Sequence, residues 1–502
     1  MTHVLIRRSG TLIDLSPDGV NGLDPAIVEL LRPSLQYQHK TLLRGHERYT
    51  PDGETRNIDI ELRNMYALEE GRLTTGFGFL TTIVETLRQN GITPHYYDLS
   101  PERQRPDCYE TDWDNCRQYV EFRPKQEECL SYVTQNETGL INAAMGFGKT
   151  FMFEALCHLY PKAKFHIVVK PKDVAQRIVR QLSRSIPNVG QVGGGKNWIG
   201  NRVTVFTAGS VHKTDGDCDF LIGDEVHLLM TGKTARGLGE GWRFARNFGF
   251  TATPEGRMDG SHAMLECFFG RQIFYLSYPE AVSLGLVVPI NVRWLPVHLN
   301  GINPAAGKTG TPKMRWGIWR NDARNRVIAA DVREHYGPEH QVLILVATID
   351  HAIHLWKYLP EFELCYANFK ADAIEGYKRN DYLPQNFVPT TPDRREQMRD
   401  AFAAGTLKKV IATDVWATGV DFEQLQVIYR TDARESEILD AQAPGRVSRI
   451  HPASGKEMGE VIDCYDIFDK GLARKSQTRK SHYKALGWSQ DWPTGRRQIS
   501  HA

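Results

Sequence analysis

The sequence contains no CxxC pair: its eight cysteines stand at 108, 116, 129, 157, 218, 267, 365 and 464, spacings that suit neither a zinc ribbon nor a disulfide framework. Scattered free thiols of a reducing compartment are the expectation. An excess of one charge is also missing, since 62 Lys and Arg stand against 60 Asp and Glu for a net +2, so any surface for a polyanion must be local. Long apolar runs are absent too. The longest, Leu284 to Leu299, carries Arg293 and His298, and Met1 to Gly10 reaches Arg7 and Arg8 with no apolar stretch behind them. The expectation is a cytoplasmic protein with neither signal peptide nor membrane span. No segment repeats at a fixed period, and none is polar and biased enough to make a disordered domain.

What is present is an ordinary globular composition, 41% hydrophobic and 24% charged over 502 residues, enough for about three domains. Residues 1–115 mix short alternating stretches with one amphipathic helix, Phe79 to Asn90, and end in a polar linker with two prolines, Ser100 to Asn115. Over residues 116–295 short apolar runs (Leu140 to Ala144, Phe165 to Val169, Val203 to Phe206, Phe220 to Ile222, Phe248 to Phe250) alternate with helical patterns, as in a parallel sheet with crossovers. Residues 296–325 read as a linker. The pattern restarts over 326–475 (Val342 to Val346, Phe362 to Tyr366, Val410 to Ala412, Val427 to Tyr429), and 476–502 is a basic tail. The fold class expected is α/β, with two tandem parallel-sheet domains behind a small N-terminal α+β domain.

Ala143-Ala144-Met145-Gly146-Phe147-Gly148-Lys149-Thr150 follows an apolar strand and precedes a helical run. That context suits a phosphate-binding loop, in which backbone N–H groups and a helix N-terminus face phosphates, Lys149 reaches the β/γ oxygens and the Thr150 hydroxyl meets Mg²⁺. Gly232-Lys233-Thr234 and Gly307-Lys308-Thr309 share the tripeptide but lack the preceding strand. Asp224-Glu225-Val226-His227 follows the run Phe220 to Ile222, so its carboxylates emerge at the carboxyl end of a strand, where open α/β sheets place ligands. Asp224 would hold Mg²⁺ and Glu225 would polarise the attacking water. Gln442 to Arg449 puts Arg446 and Arg449 three apart on one helical face, a pair suited to a γ-phosphate. Because these arginines belong to the other domain, ATP would bridge a cleft.

At these sites the chain resembles the superfamily 2 helicases of DExH type, whose two domains are RecA-like, over about residues 120–470. The resemblance implies further roles. In Arg123-Pro124-Lys125-Gln126, Gln126 would read the adenine edge; Lys170 and Lys172 match motif Ia, Thr207 and Ser210 motif Ic, and both would contact the nucleic-acid backbone. Thr251-Ala252-Thr253-Pro254 matches motif III, coupling hydrolysis to strand movement through Thr251 and Thr253. In motif V, Gly419 and Asp421 would face the nucleotide and Thr413 the phosphodiester backbone. Gln442 stands where DEAD-box RNA helicases carry a leading His, and motif II ends in His227, counted with the ATP site, rather than Asp. These departures move the resemblance toward the DNA-directed group that includes RecG, XPB and the phage UvsW recombination helicases. UvsW-type proteins are similar in length, in Val192-Gly193-Gly194-Gly195 and in the segment Gly76 to Tyr97.

The resemblance thus implies an ATP- and Mg²⁺-dependent helicase, monomeric, moving 3′ to 5′ on branched DNA or single-strand/duplex junctions, with RNA–DNA hybrids as a further substrate and no membrane. Rival readings are an RNA helicase, the motor of a nuclease assembly, and a sensor that binds ATP without turnover. Two features stay open between packing and nucleic-acid contact. The tail from Lys470 holds eight Lys and Arg with Tyr483, Trp488 and Trp492 interleaved, either a nucleic-acid grip or a solvated helix packing its Trp side chains. Trp316, Trp319 and Arg320 could stack on bases, with core packing the expected role.

Overall fold

Strict alternation sets the first sheet. Val4 and Ile6 point inward from β1 (His3–Ser9), Ile13 and Leu15 from β2 (Leu12–Pro17), as successive strand residues must face opposite sides. The computed structural model describes the chain except residues 1–2, 10, 18–21, 51–52, 99–105, 171, 214–215, 231–233, 235–236, 239–241, 253–262, 368, 370, 417–421, 443 and 493–502. After β3 (Gln36–Thr50) and β4 (Gly53–Asn64), which pair with each other, come β5 (Tyr66–Glu69), β6 (Arg72–Gly76) and β7 (Thr93–Asp98). The sheet order is β5-β6-β2-β1-β7. Ile83 and Leu87 of the helix Leu80–Gln89, with Ile27, Val28 and Leu31 of Pro25–Leu31, close its core. The amphipathic helix lies within a residue of its expected bounds.

The second sheet holds β8 (Thr138–Ala143), β9 (Phe165–Val169), β10 (Gly190–Gly193), β11 (Lys196–Trp198), β12 (Val203–Thr207), β13 (Gly216–Asp224), β14 (Trp242–Thr251) and β15 (Gln272–Leu276). Their order is β11-β10-β12-β9-β13-β14-β8-β15, and every pairing is parallel except the β10–β11 hairpin. Every residue of β9 and β12 is buried, because helices cover both faces. The expected strands fall within these bounds or within a residue or two of them. The stretch expected as a linker differs: Pro106–Tyr109 and the helix Trp113–Tyr119 bury Cys108 and Cys116. Tyr109 packs on Phe220, inside the same unit.

Two compact units emerge, residues 1–48 with 56–277, and 49–55 with 278–502. The third sheet, in the second unit, holds β16 (Ile290–Val297), β17 (Val342–Leu345), β18 (Glu363–Cys365), β19 (Lys409–Ala412), β20 (Val427–Arg430), β21 (Gly459–Asp466) and β22 (Ser489–Asp491). It is fully parallel in the order β18-β19-β17-β20-β21-β16-β22. Two cores flank it. Leu343 and Leu345 of β17 feed one, Val342 and Ile344 the other. Half of the apolar run Leu284 to Leu299, expected to close the first α/β domain, forms β16 here; its pairing with β21 and β22 is non-local, and no local periodicity reveals it. All eight cysteines are free thiols, and no helix among the described residues is long and apolar enough to cross a membrane.

Candidate ATP site and nucleic-acid contacts

The strand β8 ends at Ala143, and Ala144 to Gly148 turn into the helix Lys149–Leu159. Gly146 and Gly148 hold φ of 92° and 91°, a left-handed conformation that glycine adopts without steric cost. A Cβ on Gly148 would lie 2.9 Å from Gln126 Nε2. Phe147 turns its ring inward against Phe274, so its backbone alone serves the loop, and Met145 and Thr150 are half-buried. Gln126 is buried with its amide committed to the protein: Oε1 accepts from Arg123 N at 2.8 Å and Nε2 donates to Phe147 O at 2.7 Å. It braces the loop.

Parallel strand order brings Asp224, at the end of β13, and Thr251, at the end of β14, to the same edge as this loop. Lys149 Nζ donates to Glu225 Oε1. Glu225 takes a left-handed φ of 48° just past the strand, and is followed by the short helix Val226–Leu229. His227 is buried, with Nδ1 at 2.8 Å from Thr251 Oγ1 and 3.5 Å from Glu225 Oε2. Its side chain has no accessible surface. That corrects the placing of His227 among ATP contacts: it ties the water-activating candidate to Thr251, a contact across sheet neighbours that the sequence did not signal. Burial pushes the Asp224 carboxyl up to about 6, despite Lys149. Burial also acts upward on Glu225, but Lys149 and then His227 outweigh it and hold that carboxyl low.

Asp224 Oδ1 is buried with no hydrogen-bond partner. An orphaned carboxylate oxygen at the sheet edge where the helix begins with Lys149 and Thr150 fits a hard divalent cation. Mg²⁺ takes one or two protein oxygens and completes its shell with water and phosphate. Among the described residues no group of three His, Cys, Asp or Glu could hold a metal by itself.

The motif Ia and Ic residues meet at a glycine turn. Lys170 and Lys172 are exposed at the carboxyl end of β9, whereas Thr207 and Ser210 are buried and bonded to each other at 2.9 Å. Gly194 and Gly195 close the β10–β11 hairpin with positive φ. A Cβ on Gly193 would strike Thr207 Oγ1 at 2.1 Å, and one on Gly194 would strike Lys172 Cγ at 2.5 Å. The cluster is therefore a turn, and one that packs on both motifs.

In the second unit Thr413 is buried at the end of β19, bordering a small cavity with Asp414, Arg430, Asp432 and Arg434. Gln442 and Arg446 are buried and Arg449 half-buried. Pro444–Ser448 is a 3₁₀ turn rather than the expected α-helix, and Arg449 lies just past its end. Thr253, Gly419 and Asp421, and the lookalike Gly232-Lys233, lie outside the described residues. Gly307-Lys308-Thr309 sits in a turn with no strand before it.

Of the two readings of the tail, packing wins for its buried half. The helix Lys470–Ala485 buries Arg479 on Asp463 at 2.8 Å, and Tyr483 stacks on buried Trp488. Trp319 joins a small core cluster with Leu472, as expected. Trp316, expected in the core, is instead 42% exposed.

Residues 119–256 match the family model for the type III restriction enzyme res subunit and residues 325–451 that for the helicase conserved C-terminal domain, together just over half of the chain. No curated protein matches. The chain is similar in fold to a fragment of an HsdR subunit of a type I restriction enzyme from Vibrio vulnificus, at 13% identity and a TM-score of 0.53 over 94% of this chain and 98% of that one. S. cerevisiae Dbp5 bound to RNA and ADP BeF3 is similar at 15% identity and a TM-score of 0.50, over 78% and 94%. T4 UvsW aligns over 98% and 99% at 15% identity with a TM-score of 0.38. With two tandem RecA-like domains and both helicase family models in order, the chain belongs to the superfamily 2 helicases, enzymes that hydrolyse ATP.

Proposed function

We propose that the chain is an ATP- and Mg²⁺-dependent DNA helicase or translocase that remodels branched DNA, by branch migration, fork regression or D-loop and R-loop unwinding, in phage-type recombination, repair and replication. The observation that carries the ATP chemistry is the meeting of Lys149, Asp224 and Glu225 at one sheet edge, with Asp224 Oδ1 left without a partner inside the protein. Mg²⁺, when bound, neutralises charge on the β- and γ-phosphates. Asp224 and Thr150 would hold it. Lys149, which holds the Glu225 carboxyl low in the unliganded chain, is drawn to the phosphates, and Glu225 is the carboxylate placed to orient water. His227 passes the state of Glu225 to Thr251. Arg446 and Arg449 serve the γ-phosphate, Gly419 and Asp421 the nucleotide, Thr253 the coupling, and Lys170, Lys172, Thr207, Ser210 and Thr413 the nucleic-acid backbone.

The choice of DNA rests on Asp-Glu-Val-His, on Gln442, and on the restriction-enzyme model over residues 119–256. That same match favours a second reading, the motor of a restriction assembly. Steady-state ATP hydrolysis separates them when measured without polynucleotide and with single-stranded DNA, duplex DNA, a four-way junction or single-stranded RNA, with Lys149→Ala as the blank. Greatest stimulation by the junction is expected. Stimulation by duplex alone supports the restriction motor, and stimulation by RNA alone overturns both readings.

A further inference from the structure

Residues 299–321 contain no Asp or Glu, yet hold Lys308, Lys313, Arg315 and Arg320 with two tryptophans. The short helix Gly310–Met314 runs on into a π-helical turn, Arg315–Trp319. Such turns are rare and cluster at functional positions. This one sends Ile318 into the core while Arg315 and Trp316 stay exposed. The segment is tied down from beneath: Lys313 reaches Asp469 at 3.2 Å, and Asn321 caps the helix Asp322–His335.

Arg320 lies over the Trp316 ring at 5.7 Å, and its Nε donates to Asp350 Oδ2 at 2.9 Å. Tyr377 donates to the same carboxylate. The indole is thus an exposed ring backed by a guanidinium that two further side chains hold in place. Asp350 opens the helix Ile349–Trp356, which begins four residues past the end of β17. That is the carboxyl edge of the third sheet, where Thr413 also sits and where open α/β sheets bind ligands. Basic residues that track a phosphate backbone beside a fixed aromatic ring are the makings of a single-strand stacking platform.

We propose that Trp316 is such a platform, stacking on one base of the single-stranded DNA that the motor holds, with Arg315 facing the adjoining phosphate and Arg320 fixing the ring. The inference rests on the DNA-helicase reading above. It adds a contact that sets affinity through a base face rather than through phosphate charge, so its effect is independent of salt.

The test is the affinity of the full chain for a fluorescein-labelled single strand, with a non-hydrolysable ATP analogue, for wild type, Trp316→Ala and Trp316→Phe. Trp316→Ala is expected to weaken binding about tenfold with an unchanged salt slope, and Trp316→Phe to keep most of the affinity. On a fully abasic strand all three should bind alike. ATP hydrolysis without DNA should be equal in all three, which also reports folding. Wild-type affinity in Trp316→Ala, or a loss that persists on the abasic strand, overturns the platform. If wild-type hydrolysis responds to DNA while Trp316→Ala binds normally, the platform alone falls; if no DNA stimulates the wild type, the helicase reading falls and the platform with it.

Discussion

Two buried charge clusters occupy comparable places at the carboxyl edges of the second and third sheets, and they differ in how closely cations face their carboxylates. In the first unit Lys149 meets Glu225, but Asp224 Oδ1 has no partner and its carboxyl is pushed up to about 6. In the second, Arg430 is bonded to Asp440, to Asp432 and, at 3.0 Å, to Tyr483, while Arg479 holds Asp463 through two nitrogens. There burial acts upward on Asp432, but Arg430 and Arg434 outweigh it and bring the carboxyl down to about 2. Burial without a close cation pushes a carboxyl up, and two guanidinium groups beside one hold it down.

The comparison breaks first at the catalytic cluster. Glu225→Gln should lower ATP turnover by about 10²- to 10⁴-fold while ATP still binds, because only water activation is lost. Lys149→Ala should lose turnover and weaken ATP binding as well. A Glu225→Gln protein that binds ATP no better than Lys149→Ala would remove Glu225 from its role. The second cluster should answer in stability. Arg479→Met leaves Asp463 buried with one partner fewer, for a loss of about 3 to 5 kcal/mol, read as an earlier urea midpoint. Lys149→Ala should move that midpoint far less. Equal shifts in the two variants would erase the distinction between a site and a staple.

The phosphate loop was legible because its signals are local: an apolar strand, two glycines, Lys-Thr and a helical run stand in one stretch. The place of β16 in the third sheet was not, since a parallel strand is chosen by partners far along the chain. Arg479 reads as tail charge until Asp463 is beside it. Gln126 and His227 were found as motif members, but what they touch came only with the fold. One further signal stands in the sequence. Arg8 continues the inward alternation of Val4 and Ile6. An arginine on that face needs buried partners, and it lies 3.6 Å over the Phe77 ring and donates to the carbonyls of Phe244 and Ala245, joining the first sheet to β14.

The sharpest form of the comparison is a pair of variants with opposite signs. In metal-free protein, Asp224 has its carboxyl raised from 3.8 to about 6, so the folded chain holds a proton that the unfolded chain has released. Stability therefore falls as pH rises between about 4 and 6, and the deficit is complete above that window. Asp224→Asn should stabilise the protein by about 3 kcal/mol at pH 7.5, with most of the gain gone by pH 4. Asp432, lowered from 3.8 to about 2, contributes stability that is full above pH 4 and lost below it. Asp432→Asn should therefore cost about 2 kcal/mol at pH 7.5 and nearly as much at pH 4. Urea midpoints at the two pH values, in EDTA, measure both. Repeating the pH 7.5 arm with Mg²⁺ and ATP should raise the wild-type midpoint and move Asp224→Asn far less, because the variant has lost the negative charge that a divalent cation needs. Two variants that shift in the same direction would mean that Asp224, like Asp432, is satisfied inside the fold, and the orphaned oxygen would no longer point to a ligand.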